Sequence, residues 1–273
     1  MLTYPFDFHF TSAIVCRVAA SLKDAALCQR EIREVINIEK ARIQHQEYIA
    51  ILRKLGLDVI ELQADESLPD EVFVEDTAVV CDGIALICRP GIPGRLKEVD
   101  IIRTILRREG LSIVDIKDPL ATIDGGDVLF TGREFFVGLS KTTNIAGAKA
   151  VASAFPEYPI KKGAHLKNFV SMVAMDTMAI GKSDIAKDLL RQMEENGEYK
   201  SYKIITLRDD PAANCLWING TVLHLPMNHR YEDSIRILTS RLGPTVSQGE
   251  LLNSEFAKID CVLSSRCLLF NRP

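Results

Sequence analysis

The chain has 273 residues, of which 47% are apolar, and this is enough to bury a substantial core. Its 33 basic and 37 acidic residues give a net charge of -4 without a basic block, which argues against a nucleic-acid partner. No apolar run is long enough to cross a bilayer and no signal-peptide pattern is seen, so we expect a cytoplasmic protein without a membrane partner. The seven scattered cysteines lack disulfide or zinc spacing and are expected to be thiols.

The first clear element is a helix predicted over residues 31–56. Its apolar side chains recur at helical spacing, and Gly56 supplies the stop signal. These side chains are Ile32, Val35, Ile36, Ile43, Ile49 and Leu52. The segment LDVIEL (57–62) follows and is predicted to be a strand.

A repeat occupies most of the remaining chain. Four segments share one order of strand, tight turn, strand, loop and helix, and they cover residues 75–106, 125–155, 166–193 and 213–242. Their turns are predicted at Asp82-Gly83, Gly132-Arg133, Met175-Asp176 and Asn219-Gly220. A fifth unit would combine residues 13–19 with 261–270 and close a ring. The predicted fold is therefore a single α/β domain over residues 1–273, with the first strand of each module inside.

The stretch VFVEDTAVV (72–80) raises a question, because it resembles an apolar strand that carries Glu75 and Asp76. Buried carboxylates need partners. Other reactive side chains stand at the entrance of the other predicted inner strands, namely Asp124 and Asp127, His165 and Cys267. If these positions converge on the ring axis, they supply a thiol, an imidazole and carboxylates for nucleophilic catalysis on a cationic substrate.

Structural roles remain open for each of these groups. The two acids could form a salt bridge or cap a strand, and the aspartates of TIDGGD could bind backbone amides of a glycine turn. A lone histidine is more often a surface or core residue than a catalytic one. Cys267 could be an inert buried thiol.

Several segments resemble the dimethylarginine dimethylaminohydrolase family of guanidine-modifying enzymes, namely ADESLPD, VFVEDTAVV, TIDGGDVLFTGREFFVGLSK, HLKN and DDPAANC. The resemblance implies a five-bladed α/β propeller (pentein) with pseudo-fivefold ββαβ modules. It also implies hydrolysis of asymmetric dimethylarginine and monomethylarginine to citrulline and a methylamine, which relieves inhibition of nitric oxide synthase. Neither a metal nor another cofactor is expected, and the partner is a small guanidine substrate bound by a monomer or homodimer.

The resemblance also assigns roles to individual residues. His165 matches the general acid and base, and Asp124 matches the acid that orients it. The substrate-binding positions are Leu27 of a lid, Asp70, Glu75, Asp76, Arg95, Thr142, Ile259 and Asp260. On this reading the acids hold the substrate guanidinium, so that the partner of Glu75 and Asp76 arrives with the ligand.

Two positions depart from the family pattern. The family commonly has an arginine that grips the substrate carboxylate where this chain has Thr142, and Lys141 or Arg133 could replace it. An ungapped match of the last strand puts Ser265 or Arg266 at the position of the catalytic cysteine, whereas a one-residue gap puts Cys267 there.

We predict Cys267 as the nucleophile, because SSRC resembles the SS-x-C form seen in part of the family, and expect it to form a covalent thiouronium intermediate. Two alternatives stay open. One is a binding or regulatory homologue with little or no turnover. The other is a related hydrolase or deiminase that acts on arginine or agmatine.

Overall fold

The computed structural model describes residues 9–25, 34–164, 166–196, 202–228 and 230–273. The strands are β1 (Ser12–Cys16), β2 (Asp58–Leu62), β3 (Ala78–Cys81), β4 (Ile84–Ile87), β5 (Ser112–Asp115), β6 (Val128–Phe130), β7 (Phe135–Leu139), β8 (Ile160–Ala164), β9 (Val170–Ala174), β10 (Thr177–Ile180), β11 (Lys203–Thr206), β12 (Leu216–Ile218), β13 (Thr221–His224), β14 (Ser247–Glu250) and β15 (Leu268–Phe270). The helices are α1 (Leu22–Ala25), α2 (Ile38–Lys54), α3 (Glu98–Arg108), α4 (Ile145–Ala154), α5 (Asp184–Asn196) and α6 (Glu232–Arg241).

These strands form five sheets of three strands each. The orders are β15-β1-β2, β3-β4-β5, β6-β7-β8, β9-β10-β11 and β12-β13-β14. In every sheet the middle strand pairs antiparallel with one neighbour and parallel with the other. The predicted modular α/β architecture is therefore confirmed, with a third, parallel strand completing each module.

One sheet joins strands that are distant in the sequence. Strand β1 pairs antiparallel with β15, with Ser12 opposite Phe270, and pairs parallel with β2 on its other edge. This is the predicted fifth module, which closes the ring.

The hairpin turns have the backbone conformation that their sequences predict. Asp82 and Gly83 have φ values of 47° and 71°, and Asn219 and Gly220 have φ values of 47° and 82°. Two consecutive residues with positive φ are typical of a tight hairpin turn, and Asn-Gly and Asp-Gly tolerate it best. The turns therefore fix the register of the hairpins in the first and fourth repeats.

The helix α2 is shorter than predicted. It begins at Ile38 because the Asn37 side chain caps it by accepting a hydrogen bond from the Lys40 amide at 3.0 Å. Val35, before the helix, is 80% exposed and Ile43 within it is 61% exposed, so the predicted apolar face is wrong at both residues.

The predicted strand over residues 72–80 is also corrected. Glu75 and Asp76 lie in a 3-10 turn, Val74–Thr77, and β3 starts only at Ala78. Similar turns precede β6 and β15, at Gly125–Asp127 and Ser264–Arg266. In such a turn three consecutive side chains point in three directions, whereas a strand offers only two opposite faces.

The first strands of the five modules surround a channel of about 180 Å³ on the ring axis. Strands β3, β6, β9, β12 and β15 all contribute lining residues. The prediction that these strands lie inside the ring is thus confirmed. None of the described helices has the length and apolar character needed to cross a membrane.

Candidate active site

A cavity of about 430 Å³ adjoins the axial channel and shares only Glu75 and Lys167 with it among the lining residues. Six carboxylates and three basic side chains line the cavity. The carboxylates are Asp70, Glu75, Asp76, Asp124, Asp127 and Asp260, and the basic residues are Arg95, Lys141 and Lys167. This excess of acidic groups favours a cationic ligand.

Arg95 is the centre of a buried ion-pair network at one wall. Its Nη1 donates to Asp76 Oδ2 at 2.7 Å, and its Nη2 donates to Glu98 Oε2 at 2.9 Å. The Phe73 carbonyl accepts a further bond at 3.1 Å. Asp76 also accepts from the Gly126 amide at 3.0 Å. The partner of Asp76 is therefore supplied by the protein, contrary to the expectation that it arrives with the ligand.

Glu75 belongs to a second network on the ring axis. It is paired with Lys167 Nζ at 2.6 Å and accepts from Ser264 Oγ at 2.9 Å. Asn214 extends the network by donating to Ser264 Oγ at 3.1 Å and to the Lys167 carbonyl at 2.9 Å. Lys167 also reaches the Gly125 carbonyl at 3.3 Å, so each module contributes to it. Glu75 is thereby neutralised before any ligand binds.

Sequence reasoning missed Lys167, Asn214 and Ser264. Each of them lies two to four residues before an inner strand, as Glu75 and Asp124 do. The repeat alignment therefore carried the signal, but the sequence search looked for acids, an imidazole and a thiol at these positions and passed over a lysine, an asparagine and a serine.

Asp70 differs from these paired acids. It lines the cavity, and its Oδ1 is buried without a hydrogen-bond partner among the described residues. Burial raises the pKa of Asp70, the nearby Arg95 opposes this shift and the charge on Asp76 adds to it. A carboxylate oxygen left without a partner in a cavity is suited to receive a donor from a ligand.

Asp124 lines the same cavity as Asp70, and its pKa is also shifted. It accepts from the Gly91 amide at 3.2 Å, and burial together with the charge on Asp76 raises the pKa of Asp124 to about 7. Asp127 is fixed by Ser140, whose hydroxyl donates to Asp127 Oδ2 at 2.7 Å. The two aspartates of TIDGGD thus both line the cavity, as the sequence suggested.

We expect cation binding in this cavity to become tighter as pH rises through 7. In the free protein Asp124 keeps its proton up to about pH 7, because its pKa is raised. A bound cation favours the carboxylate and lowers that pKa, so binding releases a proton in this pH range. Calorimetric titration in buffers with different ionisation enthalpies measures this release. Asp124→Asn should abolish it, and a proton release that persists in this variant would contradict the assignment to Asp124.

The structure separates the two candidates for binding the substrate carboxylate. Arg133 pairs with Asp176 at 3.0 Å, stacks on the Tyr202 ring at 4.4 Å and does not line the cavity. Lys141 lines the cavity beside Thr142 and is exposed. Lys141 is therefore the candidate of the two that can reach a ligand there.

Cys267 lies on the ring axis, as expected, but it does not line the acidic cavity, and its role as the nucleophile remains a prediction. Cys267 is 3% exposed, packs in the hydrophobic cluster that includes Tyr48 and Leu263, and lines the axial channel instead. Burial raises the pKa of the Cys267 thiol to about 12, which leaves it protonated at neutral pH. The described cysteines are all buried, and none of them lines the acidic cavity.

The turn before β15 explains this placement. Ser265 lines the acidic cavity, whereas the next residue, Arg266, is completely buried. The Arg266 guanidinium lies over the rings of Tyr48 and Phe256, at 4.2 and 4.3 Å from their centroids. Consecutive side chains therefore point to the cavity, the core and the axial channel. The ungapped match, which placed Ser265 or Arg266 at the catalytic position, agrees with this geometry better than the gapped one.

The remaining predicted site residues divide into three groups. Asp260 lines the cavity with a φ of 55°, and Ile259 beside it is buried and does not line it. Leu27 and His165 lie outside the described residues, so their predicted roles remain predictions. In the part of the chain that the structure describes, no three His, Cys, Asp or Glu side chains are arranged so that they could hold one metal ion.

Known proteins share both the sequence pattern and this fold. The family model for the eukaryotic N,N dimethylarginine dimethylhydrolase matches residues 11–210. The human protein named putative hydrolase DDAH2 is 39% identical over 249 residues, which are 87% of each chain. The N(G),N(G)-dimethylarginine dimethylaminohydrolase of Pseudomonas aeruginosa is 29% identical over 240 residues, covering 85% of this chain and 89% of the bacterial one.

The chain belongs to the dimethylarginine dimethylaminohydrolase family. A solved structure of the Pseudomonas aeruginosa member, a cysteine-to-serine mutant in complex with citrulline, superimposes with a TM-score of 0.81 at 27% identity. The match covers 96% of this chain and all of the other. The predicted family and the pentein fold are thus confirmed, and the enzyme class of the family is amidine hydrolase.

Proposed function

We propose that the acidic cavity binds the guanidinium group of an N-methylated arginine and that the protein hydrolyses it to citrulline and a methylamine. The observation that carries the proposal is the buried, unpartnered Asp70 oxygen in a cavity with twice as many acids as bases. A guanidinium is planar, permanently charged and rich in donors, so it matches a carboxylate that lacks a donor. Related proteins named as dimethylarginine dimethylaminohydrolases support the choice of substrate.

Some residues of the cavity bind the substrate in this proposal, and others hold neighbouring acids in position. Asp70 and Asp124 offer carboxylates to the guanidinium, while Arg95 and Lys167 hold the other acids in place. Lys141 at the exposed side is suited to the substrate carboxylate. In the hydrolysis, a nucleophile attacks the guanidinium carbon, the methylamine leaves with a proton, and water completes the conversion.

Asp70→Asn tests the binding part of the proposal. The variant should weaken methylarginine binding about 10- to 100-fold, because a hydrogen bond between two charged groups becomes one to a neutral amide. Calorimetric titration at pH 8 measures the affinity, and citrulline release measures turnover. Since Asp70 Oδ1 makes no hydrogen bond to another described residue, the fold should tolerate the change.

Asp184→Asn is the matched control, because this aspartate is 98% exposed and only pairs with Lys187 on α5. It should leave the affinity unchanged. Unaltered binding in the Asp70 variant would sink the assignment of the cavity. A panel of methylated arginines, arginine and agmatine in the same titration determines which guanidine the site prefers.

A second candidate function is binding without appreciable turnover. The observation that favours it is the absence of a thiol from the cavity wall among the described residues, where Ser265 stands instead. Serine is a weaker nucleophile than cysteine at neutral pH. Tight binding of methylarginine with no citrulline formed at any pH would support this candidate over hydrolysis.

A further inference from the structure

A second, largely apolar cavity of about 480 Å³ adjoins the acidic cavity and differs from it in chemical character. The two cavities share Asn168, Asp260 and Val262 among their lining residues. Apolar side chains form most of the remaining wall, and among them are Phe169, Pro211, Leu225, Tyr231 and Leu263. A concave apolar wall with few polar groups is typical of a small-molecule site, and this one suits an apolar ring rather than a guanidinium.

The charged side chains of the apolar cavity are exposed or are engaged with the protein. Arg230 and Asp260 are exposed, and the Arg230 guanidinium lies 5.3 Å from the centroid of the Tyr231 ring. Asp210 is half-buried and accepts a hydrogen bond from the Ser183 amide at 3.1 Å. The apolar interior therefore favours an uncharged ligand, because a buried charge without a partner is costly.

Asn253 gives the apolar cavity a buried hydrogen-bond acceptor. Its side chain lines the cavity and is only 6% exposed. Asn253 Nδ2 donates to the Cys261 carbonyl at 2.8 Å, whereas Asn253 Oδ1 is buried and has no hydrogen-bond partner among the described residues. Flipping the amide would set Oδ1 against the Cys261 carbonyl oxygen, so the bond from Nδ2 fixes the orientation. A ligand with an N–H or O–H group removes the cost of leaving this acceptor unsatisfied.

We propose that the apolar cavity binds an uncharged ring compound of about the size of indole, which donates one hydrogen bond to Asn253 Oδ1. Burial of the ring against the apolar wall supplies the affinity, and Asn253 selects molecules that carry a donor. The ligand differs from a methylarginine in charge and shape, so the inference does not depend on the function proposed above.

Indole and benzofuran are matched probes for this site. The two molecules have nearly the same shape, but only indole carries an N–H donor. Indole should bind about 10-fold more tightly than benzofuran, because benzofuran leaves Asn253 Oδ1 without a donor. Amide NMR titration of the full chain measures both affinities, and the side-chain amide of Asn253 should shift on addition of indole.

Ala257→Trp tests the location of the ligand. Ala257 is exposed and lines the apolar cavity, so a large side chain there can fill the cavity without replacing a core residue. The variant should weaken indole binding by at least about 10-fold. Ala152→Trp is the matched control, because Ala152 is exposed on α4 and does not line the apolar cavity. It should leave the affinity unchanged, and circular dichroism confirms that both variants are folded.

Asn253→Ala tests the acceptor from the protein side. It should remove the preference for indole over benzofuran, and the comparison of the two probes on the wild-type protein tests the same contact without a substitution. Equal affinities of the two probes for the wild-type protein would overturn the proposal, as would indole binding that survives Ala257→Trp or an absence of binding.

Asp70→Asn separates the apolar cavity from the acidic one. This variant should leave the affinity for indole unchanged, since Asp70 lines only the acidic cavity of the two. Loss of indole binding in Asp70→Asn would assign indole to the acidic cavity and overturn the inference. A failure of indole to bind, with methylarginine still bound, would leave the proposed function intact.

Discussion

Replacing Arg95 by methionine should lower the free energy of unfolding by about 3–5 kcal/mol, because it breaks a buried ion-pair network from its centre. Arg95 is 5% exposed and bonds to Asp76, Glu98 and the Phe73 carbonyl. The variant leaves two carboxylates in a low-dielectric region without their cation. Urea denaturation followed by circular dichroism measures the loss.

Glu98 should make the stability of the Arg95→Met variant depend on pH. Burial raises the pKa of Glu98 to about 7 even with Arg95 in place. Without the arginine the carboxyl keeps its proton to still higher pH, whereas in the unfolded chain it ionises near its ordinary value. The native variant therefore binds more protons than the unfolded one, so its stability falls as pH rises above the ordinary glutamate pKa.

Arg103→Met on α3 is the matched control for Arg95→Met. Arg103 pairs with Asp100 at 2.5 Å and Asp115 at 3.1 Å, but both acids are largely exposed. A surface pair of this kind contributes about 0–1 kcal/mol. Equal decreases in the free energy of unfolding of the two variants would show that the network around Arg95 does not stabilise the protein more than a surface ion pair does.

Replacing Gly125 by alanine should cost about 3 kcal/mol of stability and abolish ligand binding. A Cβ at residue 125 would lie 2.1 Å from the Glu75 carbonyl oxygen and 2.9 Å from that of Ala78. Both are backbone atoms of the turn and strand that carry Glu75 and Asp76, so relief of the clash must displace the acids themselves. Urea denaturation gives the stability, and calorimetry with methylarginine gives the affinity.

Gly94→Ala provides the comparison on the other side of the site. No atom lies within 4 Å of a Cβ at Gly94, which neighbours Arg95 in its own 3-10 turn. We expect a change in stability of less than about 0.5 kcal/mol. A Gly125→Ala protein as stable as this one would show that the two turns are not in the close contact described.

The module plan could be predicted because it depends on local signals. Asp82-Gly83 and Asn219-Gly220 readily adopt positive φ, and such pairs are strong signals of a hairpin turn. The pairing of β1 with β15 could be inferred from the repeat, since each other module had a complete set of strands. The acids of the site stood out because carboxylates are rare in apolar segments.

The local conformation around Glu75 could not be predicted in the same way. Valine, phenylalanine and threonine all favour extended backbone, but Val74–Thr77 form a 3-10 turn whose backbone approaches Gly125 closely. Partners were also hidden by distance, since Lys167 reaches Glu75 across 92 residues of sequence. Arg95 and Glu98, three residues apart, form the pair that a local reading could have found.

The choice among Ser265, Arg266 and Cys267 illustrates the same limit. Residue type favoured the cysteine, whereas the direction of each side chain depends on where the turn ends and β15 begins. Two rings from separate segments enclose Arg266: Tyr48 lies on α2, far away in the sequence, and Phe256 lies in another 3-10 turn. Such an enclosure becomes visible only in three dimensions.

The pairing of β1 with β15 has a consequence for how the protein matures during synthesis. Four modules can fold from contiguous segments as they leave the ribosome, but the fifth must wait until residues 268–270 have emerged to meet strand β1. Ser265 reaches its place only at that moment, after Glu75 and Lys167 have long been made. A nascent chain stalled before this step would therefore have an incomplete acidic cavity and an open ring of four modules.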